Sequence, residues 1–455
     1  MKVSKLKLIY SLLFLGLTLL ASCSKDDDEG PVPLPGISSF SPESGVAGGE
    51  ITITGENFST IVSENIVKFN GVTASVNTAS ATSLTVVVPE GATSGKITVT
   101  VNGQTTTSTD DFTLLSIMQI VTGNNHTLIL KSDHTLWGCG QNEKGQLGDG
   151  TTTNVMTPKQ LMEGVKAVAA GYYHTLILKE DNTLWGTGDN TIGQLGDGTT
   201  TNRSTPVQLM EGVKAVATGY YHTLVLKEDN TLWTVGLNGG RLGDGTSTNR
   251  STPKQIMKGV KAMAGGGGHT MILKEDNTLW ATGYNKFGQL GDGTTTNVTT
   301  PKQIMGGVKA VAMGNNHTMI LKEDNTLWTT GYNAYGQLGD GTTTIRNTPT
   351  QIMESVKAIT TGSNHALILK EDNTLWAAGS NEYGQLGIGS TNNFHRTPFQ
   401  IMEGIKAMAG GGANTLILKE DNTLWATGYN AYGQLGDGTT TNKSAFVQIT
   451  LPDVK

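Results

Sequence analysis

Lys179-Glu180-Asp181-Asn182-Thr183-Leu184-Trp185 is the stretch on which the reading turns, because the chain repeats it. The same seven residues stand at 227–233, 274–280, 322–328, 370–376 and 419–425. A looser first copy, Lys131-Ser132-Asp133-His134-Thr135-Leu136-Trp137, precedes them. The seven tryptophans of the chain are the ends of these copies: Trp137, Trp185, Trp233, Trp280, Trp328, Trp376 and Trp425. Their spacings of 48, 48, 47, 48, 48 and 49 residues are the mark of a solenoid, propeller or array.

Each period holds four short apolar runs, which in one copy are strand A (165–169), strand B (175–178), strand C (183–185) and strand D (207–210). B passes to C through the Lys-Glu-Asp-Asn turn, and D passes to the next A through two residues such as Glu211-Gly212, a hairpin signal. C passes to D through a long Gly/Thr/Asn-rich link, which suits a crossing between blades. Each blade is therefore expected to run D-A-B-C. The first repeat would then lack its own D, and the orphan Val447-Gln448-Ile449 at the end would supply it. The expected fold is all-β: a seven-bladed β-propeller over residues 116–455, closed by pairing of N- and C-terminal strands so that no edge is left open.

The repeats resemble the regulator-of-chromosome-condensation family through Gly171-Tyr172-Tyr173-His174-Thr175, Leu184-Trp185-Gly186-Thr187-Gly188 and Gly193-Gln194-Leu195-Gly196-Asp197-Gly198, with equivalents in each period. The resemblance covers about three-quarters of the chain. It implies a propeller disc that binds proteins; eukaryotic members promote guanine-nucleotide exchange on a small GTPase and bind chromatin. Residues 37–115 show alternating runs at 51–54, 66–69, 84–88 and 97–101 between Gly and Asn turns, as in a sandwich. Ile37-Ser38-Ser39-Phe40-Ser41-Pro42, Gly48-Gly49, Gly55-Glu56-Asn57-Phe58, Pro89 and Phe112 resemble the IPT/TIG domain. That implies an immunoglobulin-like β-sandwich ahead of the propeller, serving as a spacer.

At 455 residues, with 60 glycines and only 15 % charged residues, the composition is that of a turn-rich β protein. A net charge of −6 and few arginines argue against a nucleic-acid partner. Residues 1–22 read as a signal peptide: Lys2, Lys5 and Lys7 precede an apolar run from Leu8 to Leu20 that is too short to span a bilayer. Leu20-Ala21-Ser22-Cys23 resembles the lipobox of bacterial lipoproteins, which implies acylation at Cys23. The acidic run 26–29 resembles a surface-export signal, and with Pro31, Pro33 and Pro35 it makes residues 23–36 a tether. The expected location is the outer membrane, held by acyl chains alone and facing the cell exterior. Cys139 is then the only thiol and pairs with nothing.

No unique acid, base and nucleophile set stands out, and no phosphate loop or Cys/His cluster appears, so no enzyme, cofactor or metal is expected. His126, His174, His222, His269, His317 and His365 recur at one repeat position, with Asn414 in the seventh, and are expected to satisfy backbone groups at the A–B turn. Together with the seven tryptophans they are assigned to the frame. The aspartates of the Gly-Asp-Gly-Thr turns are read as Asx turns rather than calcium ligands. Recognition is expected where the copies diverge. If the blades are meanders, A–B turns and C–D links share one face, and that face carries Tyr172, Tyr173, Tyr220, Tyr221, Tyr284, Phe287, Tyr332, Tyr335, Tyr383, Tyr429 and Tyr432. Tyrosine supplies stiff amphipathic contact area. The expected function is a monomeric, non-enzymatic surface lipoprotein that binds a protein or glycan through this face. The alternatives are an exchange-factor-like regulator and, disfavoured, a glycan-processing enzyme.

Overall fold

The computed structural model describes residues 33–391 and 394–451. The leader, Cys23 and the acidic run lie outside the described residues. Among the described residues a single 3-10 turn, Val62–Glu64, interrupts an otherwise all-β chain, and no helix is long and apolar enough to cross a membrane.

The first unit runs from Gly36–Ser41 to Gln104–Leu114. Its eight strands form one continuous ladder that folds over a single core, with Val72–Ala79 pairing both Ser83–Val87 and Ile66–Phe69 at the fold line. Alternation explains the core: in Glu50–Glu56, Ile51 and Ile53 point inward and Thr52 and Thr54 outward. Phe69 and Phe112 meet edge-on at 5.0 Å in its centre.

Seven four-stranded antiparallel sheets follow. Blade 2 is Val165–Ala170, His174–Lys179, Leu184–Gly188 and Arg203–Met210, that is A-B-C-D in chain order. Blade 1 opens with Ile117–Thr122 and blade 7 closes with Lys443–Ile449. The ends of the A strands surround the axis, so A is innermost.

The seven-bladed architecture matches the reading of the sequence, but two details do not. The blade is A-B-C-D rather than D-A-B-C, and the terminal strands do not pair. Val155–Met162 gives the first blade its own D, and Lys443–Ile449 pairs Leu424–Gly428 of its own blade. The two-residue D–A connection is not a hairpin: Gly212, at φ +65°, turns the chain out of blade 2 and into blade 3. Val213 N–H then bonds the Asn182 carbonyl of the B–C turn left behind, at 3.0 Å. Gly164, Gly259, Gly307 and Gly404 hold the same left-handed conformation in other blades, and Ser355 adopts it at φ 58°.

The long C–D link stays in its blade and clamps the next one. Thr175 Oγ1 donates to the Gln146 carbonyl (2.7 Å), and Gly150 N–H bonds the Ser204 carbonyl (2.9 Å). The ring closes by the same device, with Thr127 Oγ1 on the Gln434 carbonyl at 2.7 Å. Each tryptophan packs on the blade before it; Trp137 enters the apolar cluster of Leu416, Leu418 and Leu424, which joins blade 1 to blade 7. Its indole N–H is satisfied by Thr135 two residues earlier (3.0 Å), as in every copy. Closure is thus lateral packing and needs no exchanged strand.

On the Lys-Glu-Asp-Asn face a ladder runs from blade to blade, with Asn182 Nδ2 on Glu228 at 2.7 Å and its equivalents through Asn373 on Glu420. The ladder has no rung from blade 7 to blade 1, because Ser132 replaces the glutamate. Ser132 instead fastens the chain arriving from the sandwich: its hydroxyl accepts Ser116 N–H (3.0 Å) and its N–H bonds the Ser116 carbonyl (2.8 Å). The sandwich therefore abuts this face, across a cavity of about 560 Å³ bordered by Val46, Leu114, Asp421 and Leu451.

Candidate functional site: the aromatic face of the propeller

The opposite face is built from A–B turns and C–D links, held side by side by backbone. The first link residue of each blade bonds the last A–B turn carbonyl of that blade, as Tyr284 N–H does Gly268 (2.9 Å) and Tyr429 N–H does Ala413 (2.9 Å). Around the axis the turns bond one another in sequence, for example Tyr172 N–H to Tyr220 (3.0 Å) and Asn315 N–H to Ser363 (3.1 Å). Side chains at these positions are therefore carried on fixed backbone.

The link itself is rigid for reasons the sequence reading missed. Asn190 is buried at its centre: its Oδ1 accepts Leu195 N–H, and its Nδ2 donates to Asp197 and to the Thr199 carbonyl. Gln194 Oε1 caps the tight turn by accepting Ile192 N–H at 3.0 Å. Asp197 closes the Asx turn on Thr199 and takes an ion pair from Arg203. Burial works against its ionisation, but those hydrogen bonds outweigh it and hold the carboxyl down at about 2. The aspartates of blades 1, 3, 4, 5 and 7 are engaged in the same way, each by Lys or Arg from the adjacent D strand. In blade 6, where Ile388 replaces the aspartate, Ile388 packs with Phe399 and Phe446 against the apolar core of the blade instead. Among the described residues no group of three His, Cys, Asp or Glu is placed to hold a metal ion.

The eleven aromatic residues singled out from the sequence all lie on this face; Tyr335 and Tyr383 are exposed and the other nine are half-buried. They meet in groups. Tyr172 touches Tyr173 edge-on (4.5 Å), Tyr220 (5.1 Å) and, stacked at 19°, Tyr221 (5.4 Å). Tyr284, Phe287, Tyr332 and Tyr335 form a second chain of ring contacts across blades 4 and 5. Tyr383, Tyr429 and Tyr432 form a third across blades 6 and 7. Gly268 makes room for this: a Cβ there would lie 3.0 Å from the Cβ of Tyr284. Tyr220 differs from the rest, because its hydroxyl reaches across the axis to Ser363 Oγ of blade 6 (2.5 Å) and closes the channel mouth. Burial pushes its phenol up to about 12, and burial beside Tyr172 and Tyr221 does the same to Tyr173.

Residues 90–357 and 260–455 match the model of the RCC1-like domain, and together these spans take in well over half of the chain. The chain belongs to the RCC1-like domain family. Residues 35–114 match the IPT/TIG domain. Among solved structures the RCC1-like chain is similar to human WBSCR16, at 24 % identity over 67 % of this chain and 86 % of that one, with a TM-score of 0.61. It is also similar to Prp20p of Saccharomyces cerevisiae, at 20 % identity over 71 % and 88 %, with a TM-score of 0.65. Yeast RCC1 (Prp20) in its complex with Kap60 aligns at 18 % identity over 74 % and 84 %, with a TM-score of 0.64. At such identities the likeness concerns the fold. No curated protein sequence matches the chain.

Five of the six histidines of the RCC1-like ring bond side chains, not the backbone groups expected from their place at the turn. His174 Nε2 lies 3.2 Å from Thr223 Oγ1 of the next blade, and His126, His222, His269 and His365 do likewise. Thr223 Oγ1 already gives its proton to the Gln194 carbonyl (2.7 Å), so Nε2 must carry the hydrogen and donate. Burial drives the imidazoles down, to about 4 for His174 and about 3 for His126. They are neutral and enclosed, and Gly171 must lack a side chain because a Cβ would lie 2.2 Å from the His174 ring. Cys139 is likewise enclosed in its strand, and burial lifts its thiol to about 12.

Proposed function

We propose that this protein is a non-enzymatic binding protein that engages a protein partner through the aromatic face of its propeller. The observation that carries the reading is the asymmetry of the disc. One face repeats hydrogen-bonded Lys-Glu-Asp-Asn turns and abuts the sandwich, while the other carries eleven exposed or half-buried aromatic residues, in groups of touching rings and all on one side of the disc. Clustered tyrosines on fixed backbone give contact area with little ordering cost, which is the composition of recognition surfaces. The solved relatives add support of the same kind, since one is Prp20 bound to Kap60 and Prp20p is described with binding properties to Gsp1p and histones. Anchoring at the outer membrane through Cys23 fits this geometry. A tether leading to the sandwich would leave the opposite, aromatic face directed outward.

The test is a set of Tyr→Ala variants at 172, 220, 332 and 432, assayed against a panel of purified surface proteins and a glycan array. Loss of protein binding by about 10-fold or more per central residue supports the reading. Selective glycan binding, glycan turnover, or release of nucleotide from a small GTPase would each replace it.

A further inference from the structure

One link of the aromatic face departs from the other six in a way the frame does not need. At the turn-capping position six blades carry glutamine, as at Gln146, Gln194 and Gln434, and blade 3 carries Arg241. A guanidinium has no acceptor, so it cannot cap the turn as Gln194 does. The segment is rebuilt around that loss. It is one residue shorter, Gly239 and Gly240 take φ +59° and +94°, and Asn238 Oδ1 accepts both Gly240 N–H (3.0 Å) and Leu242 N–H (3.3 Å).

What the arginine gains within the protein is small. Its Nη1 donates to the Gly267 carbonyl at 3.2 Å, and its buried Nε has no partner among the described residues. Nη2 borders Gly239 and makes no hydrogen bond among the described residues. The arginines at 203, 250 and 346 are each paired with a link aspartate, whereas Arg241 has no ion pair among the described residues. Partial burial lowers its pKa, and its charge lowers those of His222 and His269 further. A cation taken partly out of water without a counter-charge costs stability, unless something outside the chain supplies the charge.

The position suits that. The link of blade 3 carries no aromatic residue and leaves a gap beside Tyr221: Leu237 begins it, where the links of blades 4, 5 and 7 begin with tyrosine. Tyr221, whose carbonyl holds Leu237 N–H (2.8 Å), flanks the gap on one side. Gly267-Gly268, the turn against which Tyr284 sits, flanks it on the other.

Resting on the protein-binding reading above, we propose that Arg241 is the polar anchor of the aromatic face, a subsite for a carboxylate of the partner polypeptide. Planar guanidinium matches carboxylate geometry, and the flanking rings would exclude water from the pair. The Nη2 donors of Arg241, which make no hydrogen bond among the described residues, then find their acceptor in the complex, while Nε stays enclosed.

The arginine Nε–H signals of the full chain, only five in number, give a direct readout by NMR. The probes are N-acetylglutamyl amide and its neutral isostere N-acetylglutaminyl amide, with inorganic phosphate and glucuronate as further arms. The Arg241 signal is assigned by its absence from Arg241→Gln; a saturable shift of it with the glutamyl probe is expected, weaker by at least tenfold with the glutaminyl probe. Arg241→Gln is expected to fold, because glutamine is the residue of the other six blades. No shift up to tens of millimolar probe, an equal shift with the neutral probe, or a response to phosphate or glucuronate alone would overturn the assignment. If the Tyr→Ala set abolishes protein binding while Arg241→Gln leaves it intact, the carboxylate subsite fails and the aromatic face stands. If the Tyr→Ala set changes nothing, the broader reading fails first.

Discussion

Lowering the pH from 7 to 5 is expected to destabilise the propeller steeply, and the histidine ring sets the size of the loss. Five imidazoles, at 126, 174, 269, 317 and 365, are held at about 3 or 4 against an unfolded value of 6.5, and His222 is shifted in the same direction. Their native pKa values are depressed, so the unfolded chain takes up protons that the native ring refuses. The stability they confer is complete above 6.5 and drains away as the pH falls towards 4 for His174 and His365 and towards 3 for His126, His269 and His317. At pH 5 each group costs about 2 kcal/mol, and five together on the order of 10 kcal/mol. That rivals the whole stability of a typical domain. The aspartates of the links act in a separate, lower window: Asp149, Asp197 and Asp292 are held at about 2, so their contribution is lost only below 3.8. Urea unfolding followed by tryptophan fluorescence isolates the propeller, since all seven tryptophans lie there. The midpoint should fall steeply between pH 6.5 and 5. His174→Asn, which copies the natural Asn414 of blade 7, should weaken the protein at pH 7 and reduce the pH slope by about one proton. A midpoint independent of pH over this range would refute the neutral, enclosed histidine ring.

Blade 6 supplies a natural gap in that ring. Ala366 stands where the other blades carry threonine, and His317 Nε2 is left without a partner among the described residues. Ala366→Thr should therefore stabilise by about 1 kcal/mol in the same urea assay. Thr223→Ala should do the reverse by about 2 kcal/mol, since it strands the His174 donor. Gly171→Ala should destabilise by about 1–3 kcal/mol, because the new methyl group meets the His174 ring. Ser132→Glu is expected to disturb the sandwich junction without unfolding either unit, read as new protease cleavage near Ser116.

How far the sequence could be read followed from which interactions repeat. Period, blade number and the tryptophan positions were legible because every copy obeys the same packing. Strand order within the blade was not, because a two-residue link looks alike whether it turns a hairpin or crosses between sheets. The pairing of Arg203–Met210 with Leu184–Gly188 decides it, and Val213 N–H bonding Asn182 of the preceding turn agrees. The D–A links had a usable signal, since Gly at 164, 212, 259, 307 and 404 marks a left-handed turn, but that fits either topology. The aromatic residues could be placed on one face by alternation of the connections alone. Their grouping could not, and neither could the Tyr220–Ser363 bond, which joins residues 143 apart in sequence. The recurring Asn and Gln of the links were visible but carried no chemistry of their own. They act by holding the backbone on which the tyrosines stand.

The most direct test of the account is hydroxyl-radical footprinting of the intact protein with and without a panel protein that binds it. Protection confined to the tyrosines at 172, 221, 284, 332 and 429, with the Lys-Glu-Asp-Asn turns unchanged, is the predicted result. Protection of those turns or of the sandwich, with the aromatic face still fully reactive, would contradict it.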